Sequence, residues 1–393
     1  MYINTDEQLI SFCSQIEDSQ WLAIDTEFVR EKSYYHHLGL IQVLGNSVCA
    51  AIDPIAIKNL DCLMKVLKNK SVLKVFHAGK QDLEILNRLC GTVISPIFDT
   101  QVAASLLGWG SQISFAKVVQ KTIGKKIYKA ETYTDWCRRP LSSSQIEYAL
   151  DDVRYLGPVY EKLLEKLKKA NRLEWLKDEF FSLEDSKKYE LPDPQTQYIR
   201  IKNFRNLRPR NLAVLIELSA WRELEARKRD CHPRSIIRDE PLLEIARTLP
   251  KDCNSMNSIR GLYQKEINKS GKMILEAIKR GRSTPEEKIP KCPEIKKYST
   301  QPGVEELLAA YVQMRAVELK IEATVLADRK LIHDSVIRFE QNEPLNENSI
   351  FFGWRHQLIG KTFLEILNGK KGLVVNGKGR VSLIPMKECS KTL

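Results

Sequence analysis

Five residues in three short stretches could carry chemistry. WLAIDTEF, residues 21–28, sets Asp25 and Glu27 two positions apart, hence on one face of a β-strand. FHAGKQDLEIL puts Asp82 at the start of a helix just after a buried strand, and IEYALDDVRYL puts Tyr148 four residues before Asp152, one turn away on the same helix face. Four carboxylates and a phenol make a set of hard oxygen ligands suited to Mg²⁺ or Mn²⁺, whereas zinc would call for cysteine or histidine. Gathered around one point the acids repel: two unit charges roughly 4 Å apart cost about 4 kcal/mol at an effective dielectric of 20. Two divalent ions remove that cost. Held ~3.5–4 Å apart, they stabilise the attacking and leaving oxygens of an in-line phosphoryl displacement. The strand acids, Asp25 above all, are the natural bridge between the ions.

Each piece alone has a plainer reading. Asp-x-Glu on a strand is commonly a solvated strand end, Asp82 an acid favoured by the helix dipole, and Tyr148 a half-buried packing residue. Their conjunction in this order favours the metal site. His77, at the carboxyl end of the strand before Asp82, fits either a substrate contact or a buried, hydrogen-bonded histidine. Arg200, Lys202, Arg205, Arg208 and Arg210 are interleaved with Tyr198 and Phe204. They fit a track for phosphates with stacking surfaces, or equally a solvated linker; Lys279, Arg280 and Arg282 share that ambiguity. The candidate substrate contacts are thus His77, Arg200, Lys202 and Arg205. His36 and His37 read as surface loop, Trp221 and Trp354 as core. Gly360-Lys361-Thr362 is no phosphate loop, because Arg355 stands where its upstream glycine would be.

The elements that must hold these residues follow from periodicity. In the first stretch Leu22, Ile24, Thr26 and Phe28 share one face, and Ala23, Asp25 and Glu27 the other. LGLIQVL and SVCAAID, joined through Gly45-Asn46, predict an antiparallel hairpin. A helix with Leu60, Met64, Val66 and Leu67, a strand over 72–76, and helices over about 82–89, 100–107 and 143 into the 160s predict an α/β domain with a mixed sheet. A first helix, boxed by Thr5 and Gln8, buries Leu9, Phe12 and Ile16. Past residue 157 strand signals nearly vanish. LEKLKKANRLEWLKDEFFSLED reads as a charged helix pair and ELPDPQTQ as a linker. A helix from Asn211 sets Leu212, Ile216, Ala220 and Leu224 in one row. Four prolines over 283–303 mark a second boundary, and a further helical set runs from Val304 to about Leu367. The segment from Gly369 fits a small hairpin or a loose tail.

Composition agrees. A chain of 393 residues implies two or three domains, and a net charge of +12 suits nucleic acid or an anionic surface. No apolar run approaches the ~18 residues of a membrane span, and the first residues lack a signal pattern. Nine scattered cysteines, without the spacing of zinc or redox motifs, read as reduced thiols of a cytoplasmic chain.

The three acidic stretches resemble the motifs of the DEDD 3′–5′ exonucleases, in the branch whose tyrosine lies four residues before the last aspartate; Glu147 stands where the other branch has histidine. HLGLIQV, IFDTQVAASLLG and TDWCRRPLSSSQIEYA are similar to the ribonuclease D group within them. RIKNFRNLRPRNLAVLIELSAWRELEARKRD resembles the start of the HRDC domain that follows, and GWRHQLIGKTFLEIL its second, more divergent repeat. The resemblance implies a ribonuclease H-like, mixed-sheet α/β exonuclease domain over 1–170, a helical linker over 171–207, and two all-α HRDC-type domains over 208–288 and 298–385. It implies two divalent metal ions, Mg²⁺ or Mn²⁺, held by Asp25, Glu27, Asp82 and Asp152. Glu27 would lie near the terminal 3′-hydroxyl, Tyr148 would orient or help deprotonate the attacking water, and Asp151 falls outside the metal shell. The partner implied is RNA, shortened from its 3′ end to 5′-mononucleotides, with 3′-extended tRNA precursors and other small structured RNAs as substrates. A monomer without a nucleotide cofactor is expected. Residue chemistry alone supports a metal-dependent phosphodiesterase acting at a nucleic-acid end. A DNA exonuclease using the same metal site is one alternative. A non-catalytic RNA-binding protein is another, opposed by the intact acidic set.

Overall fold

The computed structural model describes residues 1–127, 134–290 and 302–386. Its N-terminal half is a six-stranded sheet between helical layers. The elements are β1 (Tyr2–Ile3), α1 (Asp6–Ile16), β2 (Trp21–Val29), β3 (His37–Gly45), β4 (Val48–Ile52), α2 (Asp61–Lys68), β5 (Leu73–Phe76), α3 (Lys80–Cys90), β6 (Ile97–Asp99), α4 (Thr100–Leu106), α5 (Phe115–Ile123), α6 (Ser143–Lys169) and α7 (Trp175–Leu183). The strand order is β1-β4-β3-β2-β5-β6, with β5 parallel to β2 and β6, and β4 parallel to β1 but antiparallel to β3. The sheet is mixed, as the sequence predicts.

Alternation along β2 decides where the acids fall. Leu22 and Ile24 are fully buried among residues of α1 and α2, whereas Ala23 is buried with residues of α4, α5 and α6. Asp25 and Glu27 continue the Ala23 face, on the α6 side of the sheet. The β3–β4 turn is made by Asn46 and Ser47, with φ of 47° and 64°, the two positive values of a type I′ hairpin. It thus sits one residue later than Gly45-Asn46. Thr5 caps α1 as expected, accepting from the Gln8 N–H (3.3 Å), but Gln8 Oε1 reaches back to the Asn4 N–H (3.1 Å) and not to Thr5 itself. Strands β1 and β6, of two and three residues, are too short to show alternation, and α5 is a further element that the sequence reading lacks.

Two compact units divide the chain, one of Met1–Glu27, Leu38–Tyr189 and Lys297–Leu393, the other of Phe28–His37 and Glu190–Lys296. In the first unit the C-terminal elements are α12 (Val304–Leu319), α13 (Ala323–Leu326), α14 (Arg329–Glu340), the helical segments Gly353–Arg355 and Lys361–Leu367 joined by a π turn, and a hairpin of Lys371–Val375 with Val381–Pro385. The sequence sets 298–385 apart as a domain. The structure instead merges its apolar residues with the nuclease core: Leu308, Tyr311, Trp354 and Phe363 belong to one cluster with Ala104, Val118 and Leu156. Trp354 stacks on Trp175 (4.8 Å, 10°) and donates through Nε1 to Glu179 (3.1 Å), which also accepts from Arg355 (2.6 Å). Arg172 donates to the carbonyls of Leu106 and Leu319 (2.7 and 2.6 Å). A proline-rich connection marks a break in the chain's path. It does not require a break in the core.

The second unit holds α8 (Pro209–Arg229), α9 (Pro233–Ile236), α10 (Asp239–Thr248) and α11 (Gln264–Ser283). These pack around Leu212, Leu215, Leu218, Ile245 and Ile274. Because α8 is covered on most sides, the row Leu212-Ile216-Ala220-Leu224 is not its buried face, and Leu224 ends exposed. Trp221 and, in the first unit, Trp354 are core residues as read. His36 is a correction. It is buried, edge-on to Phe28 (4.8 Å), while exposed His37 pairs with Asp230.

The helices that follow α8 and α12 share a spacing. Asp230 and Lys320, both left-handed (φ 47° and 53°), end α8 and α12. In each case a four-residue helix starts three residues later, and the next helix three residues after that one ends.

Candidate active site

Strand β2 delivers Asp25 and Glu27, and the second and third turns of α6 deliver Tyr148 and Asp152. Helix α6 starts at a capping box, with the Ser142 side chain on the Gln145 N–H and the Gln145 side chain on the Ser142 N–H, which fixes the register of the residues that follow. One carboxylate oxygen each from Asp25, Glu27 and Asp152 lies within 4.8 Å of the other two. Asp82, on the first turn of α3, is buried beside this trio and accepts a short hydrogen bond from Thr26 Oγ1. Thr26 lies on the other face of β2, so Asp82 approaches from the far side of the strand.

Electrostatics follow from that crowding. Burial pushes the Asp25 carboxyl well above the usual carboxylate range, and Asp82, Asp152 and Glu27, all of its own sign, push it further. Burial also raises Asp82 to about 6, against the lowering effect of the Thr26 hydrogen bond. Low-dielectric surroundings and like charges both disfavour the ionised form. A divalent cation reverses both effects, and the donors are oxygens throughout, the preference of Mg²⁺ and Mn²⁺. The residues present fit such an ion. Asp151 turns to Arg154 (3.1 Å), which also pairs with Glu147 (2.7 Å).

A cavity of about 620 Å³ opens over the acids, lined by Asp25, His77, Phe115, Lys125, Tyr148 and Asp152 among others. His77 is half-buried on the cavity wall and keeps a hydrogen-bond partner. Its Nδ1 lies 2.9 Å from Thr100 Oγ1, its ring is 5.2 Å from that of Phe115, and it lines the cavity. Sequence reasoning missed Phe115, Lys125 and Tyr155 as lining residues. Tyr155 had a signal, standing one turn beyond Asp152; Lys125, whose ammonium lies 4.3 Å over the Tyr155 ring, had none. Arg200, Lys202 and Arg205 lie in the other unit, exposed. The aromatic residues among them do not offer stacking surfaces: Tyr198 and Phe204 are buried, edge-to-face (5.3 Å, 84°), in that unit's core. Their spacing is that of a core, with the cations left outside.

Comparison with known proteins places these features. Residues 1–168 match the 3′–5′ exonuclease family model and residues 211–278 the HRDC domain. The chain is 34% identical over 387 residues to ribonuclease D of Zymomonas mobilis, covering 97% of each chain. It is 35% identical over 371 residues to that of Bartonella henselae, covering 92% of this chain and 89% of the relative. In three dimensions it is similar to the crystal structure of Escherichia coli RNase D, described as an exoribonuclease involved in structured RNA processing. There the TM-score is 0.82 and the identity 32%, over 94% of this chain and 98% of the other.

Proposed function

Because the chain belongs to the ribonuclease D family of 3′–5′ exoribonucleases, we propose that it trims 3′-extended tRNA precursors and other small structured RNAs by a two-metal mechanism, releasing 5′-mononucleotides. The observation that carries the reading is the meeting of Asp25, Glu27 and Asp152 oxygens within 4.8 Å, with Asp82 close enough for its charge to act on Asp25. Asp25, Glu27, Asp82 and Asp152 would hold two Mg²⁺ or Mn²⁺ ions. When bound, such ions supply positive charge to the phosphate oxygens and lower the pKa of coordinated water.

The chain's own residues do the rest. Tyr148, one turn from Asp152, orients the attacking water and takes up its hydrogen bond. Glu27 accepts from the terminal 3′-hydroxyl, selecting a chain end over an internal linkage. His77 and Phe115 wall the cavity where the last nucleotide lies. Exposed Arg200, Lys202 and Arg205 contribute sequence-independent attraction for the RNA backbone. The matching element spacing of α8–α10 and α12–α14 supports reading 304–367 as a second, divergent HRDC-like repeat. A monomer working in the cytoplasm completes the proposal. Among the described residues no helix is long and apolar enough to cross a membrane.

The test is a product analysis. A 5′-labelled, 3′-extended tRNA, incubated with protein and Mg²⁺ or Mn²⁺, should shorten one nucleotide at a time and release 5′-mononucleotides, and chelator should stop it. Internal cleavage, or equal digestion of a matched DNA strand, would contradict the reading.

A further inference from the structure

Arg138-Arg139, a basic doublet between α5 and α6, invites the same interpretation as the other cations, a contact to RNA phosphate. The guanidinium of Arg139 is already fully occupied. Arginine has five N–H donors, and five acceptors meet them. Nε donates to Asp53 Oδ2 (2.6 Å), and Nη2 to Asp53 Oδ1 (2.7 Å) and the Gly39 carbonyl (2.7 Å). Nη1 donates to the carbonyls of Trp136 (2.8 Å) and Arg138 (2.9 Å). Asp53, only 1% exposed, is itself fixed by the Ile55 and Ala56 N–H groups (2.9 and 3.2 Å) and by the Tyr2 hydroxyl. A bidentate pair of this kind has one geometry.

What it holds in place is Trp136. Its carbonyl is gripped by Arg139, and its backbone lies so close to β3 that a Cβ on Gly39 would fall 2.6 Å from the Trp136 oxygen. The indole is buried with Leu40, Ala51, Ala149 and Leu150, and its face lies against the ring of Tyr148, with centroids 6.2 Å apart and planes at 27°. Tyr148 therefore stands between two walls: the cavity with its acids on one side and Trp136 on the other.

We propose that Asp53, Arg139 and Trp136 form a clamp that positions the Tyr148 ring for the reaction, and that Arg139 acts through this chain and not on RNA. The inference rests on the role given to Tyr148 above. A displacement of about 1 Å at a positioned group can cost about 100-fold in rate, and lysine, with three donors and no planar fork, cannot reproduce the five bonds.

The experiment is a double-mutant cycle on a short RNA with saturating Mg²⁺. Arg139→Lys should lower kcat about 10- to 100-fold while leaving KM and its salt dependence within about twofold. In a Tyr148→Phe background the same change should cost less than about twofold further, because the ring no longer carries the hydroxyl whose position mattered. Equal losses in both backgrounds would make the clamp a general structural brace and overturn the proposal. So would a raised KM with a weaker salt dependence, the mark of a lost phosphate contact, or an unaltered kcat. Tyr148→Phe turning over at the parental rate would instead remove the reading beneath it. A slow Tyr148→Phe beside a parental-rate Arg139→Lys would sink the clamp alone. Should Arg139→Lys not fold, Trp136→Leu is put through the same cycle; failure of both to fold would assign the loop to the core and also overturn the proposal.

Discussion

Both units bury carboxylates against arginines, Asp53 with Arg139 in the nuclease unit among them, but the acids around Asp25 are treated in the opposite way. In the helical unit each has an arginine. Glu223 pairs with Arg227 (2.9 Å), Glu225 with Arg229 (2.6 Å), and Asp239 with Arg222 (2.9 Å), a pair in which the arginine is 6% exposed. Arg229 reaches Glu266 as well (3.0 Å). In the nuclease unit the charges that bear most on Asp25 are three further acids. The first arrangement is complete within the polypeptide, and through Arg222–Asp239 and Arg229–Glu266 it ties α8 to α10 and α11. The second calls for a divalent cation, as the exonuclease fold implies. Burial of an acid is therefore a poor guide to function, and the sign of its neighbours a good one.

Substitution separates the two. Asp25→Asn should reduce turnover by ~10³-fold or more, the several kcal/mol of charge stabilisation that metal binding supplies. It should also raise the melting temperature in chelator, since one source of repulsion is gone. Asp239→Asn should do the reverse, costing about 3–5 kcal/mol by leaving Arg222 buried without its counter-charge, and leaving the rate on a short oligonucleotide near the parental value. A destabilised Asp25→Asn, measured by thermal unfolding in chelator, would abolish the distinction.

The pH dependence sharpens it. With Asp82 raised from 3.8 to about 6, the folded state binds its proton more tightly than the unfolded state. This group's contribution to stability thus falls as pH rises through the interval from about 4 to 6. In chelator at pH 7, Asp82→Asn should be more stable than the parent by about 3 kcal/mol, and the gap should close on acidification to pH 4. Asp230 in the helical unit has the opposite sign. Burial pushes its carboxyl up, but the Tyr35 N–H, His37 and the Tyr34 N–H together hold it below the usual range. Its contribution is present above about pH 4 and is lost below it. Denaturation curves of the parent, Asp82→Asn and Asp230→Asn across this range check the two slopes.

The smallest effect expected belongs to the exposed cations. Removing Lys202 or Arg205 should lower the slope of log affinity for RNA against log salt by somewhat under one each, with little change in the chemical step. A filter-binding titration at several salt concentrations reads this directly.

Much of the site was legible because it is written in local periods. The two-residue step from Asp25 to Glu27 and the four-residue step from Tyr148 to Asp152 require only that β2 and α6 form. The Thr26–Asp82 contact and the Arg222–Asp239 pair join residues 56 and 17 apart, and no period announces them. Helix α8 misled for a related reason: a helix wrapped by its neighbours has no single apolar stripe, so the row ending at Leu224 looked like a buried face. Tyr198 and Phe204 misled because an aromatic residue between cations has the same spelling whether it stacks on a base or packs in a core. The six-stranded sheet was clear in its longer strands and invisible in the two- and three-residue strands, β1 and β6, whose pairing depends on partners far along the chain.

The shared core of the nuclease and the helices after residue 304 bears on how the protein is made. Those helices leave the ribosome after α4–α7 have emerged, so the surface that Trp354 and Phe363 will cover faces water until the segment that carries them has followed. Completion of the shared core must wait for them. A nascent chain thus carries the apolar faces of α4–α7 uncovered through the synthesis of the whole helical unit.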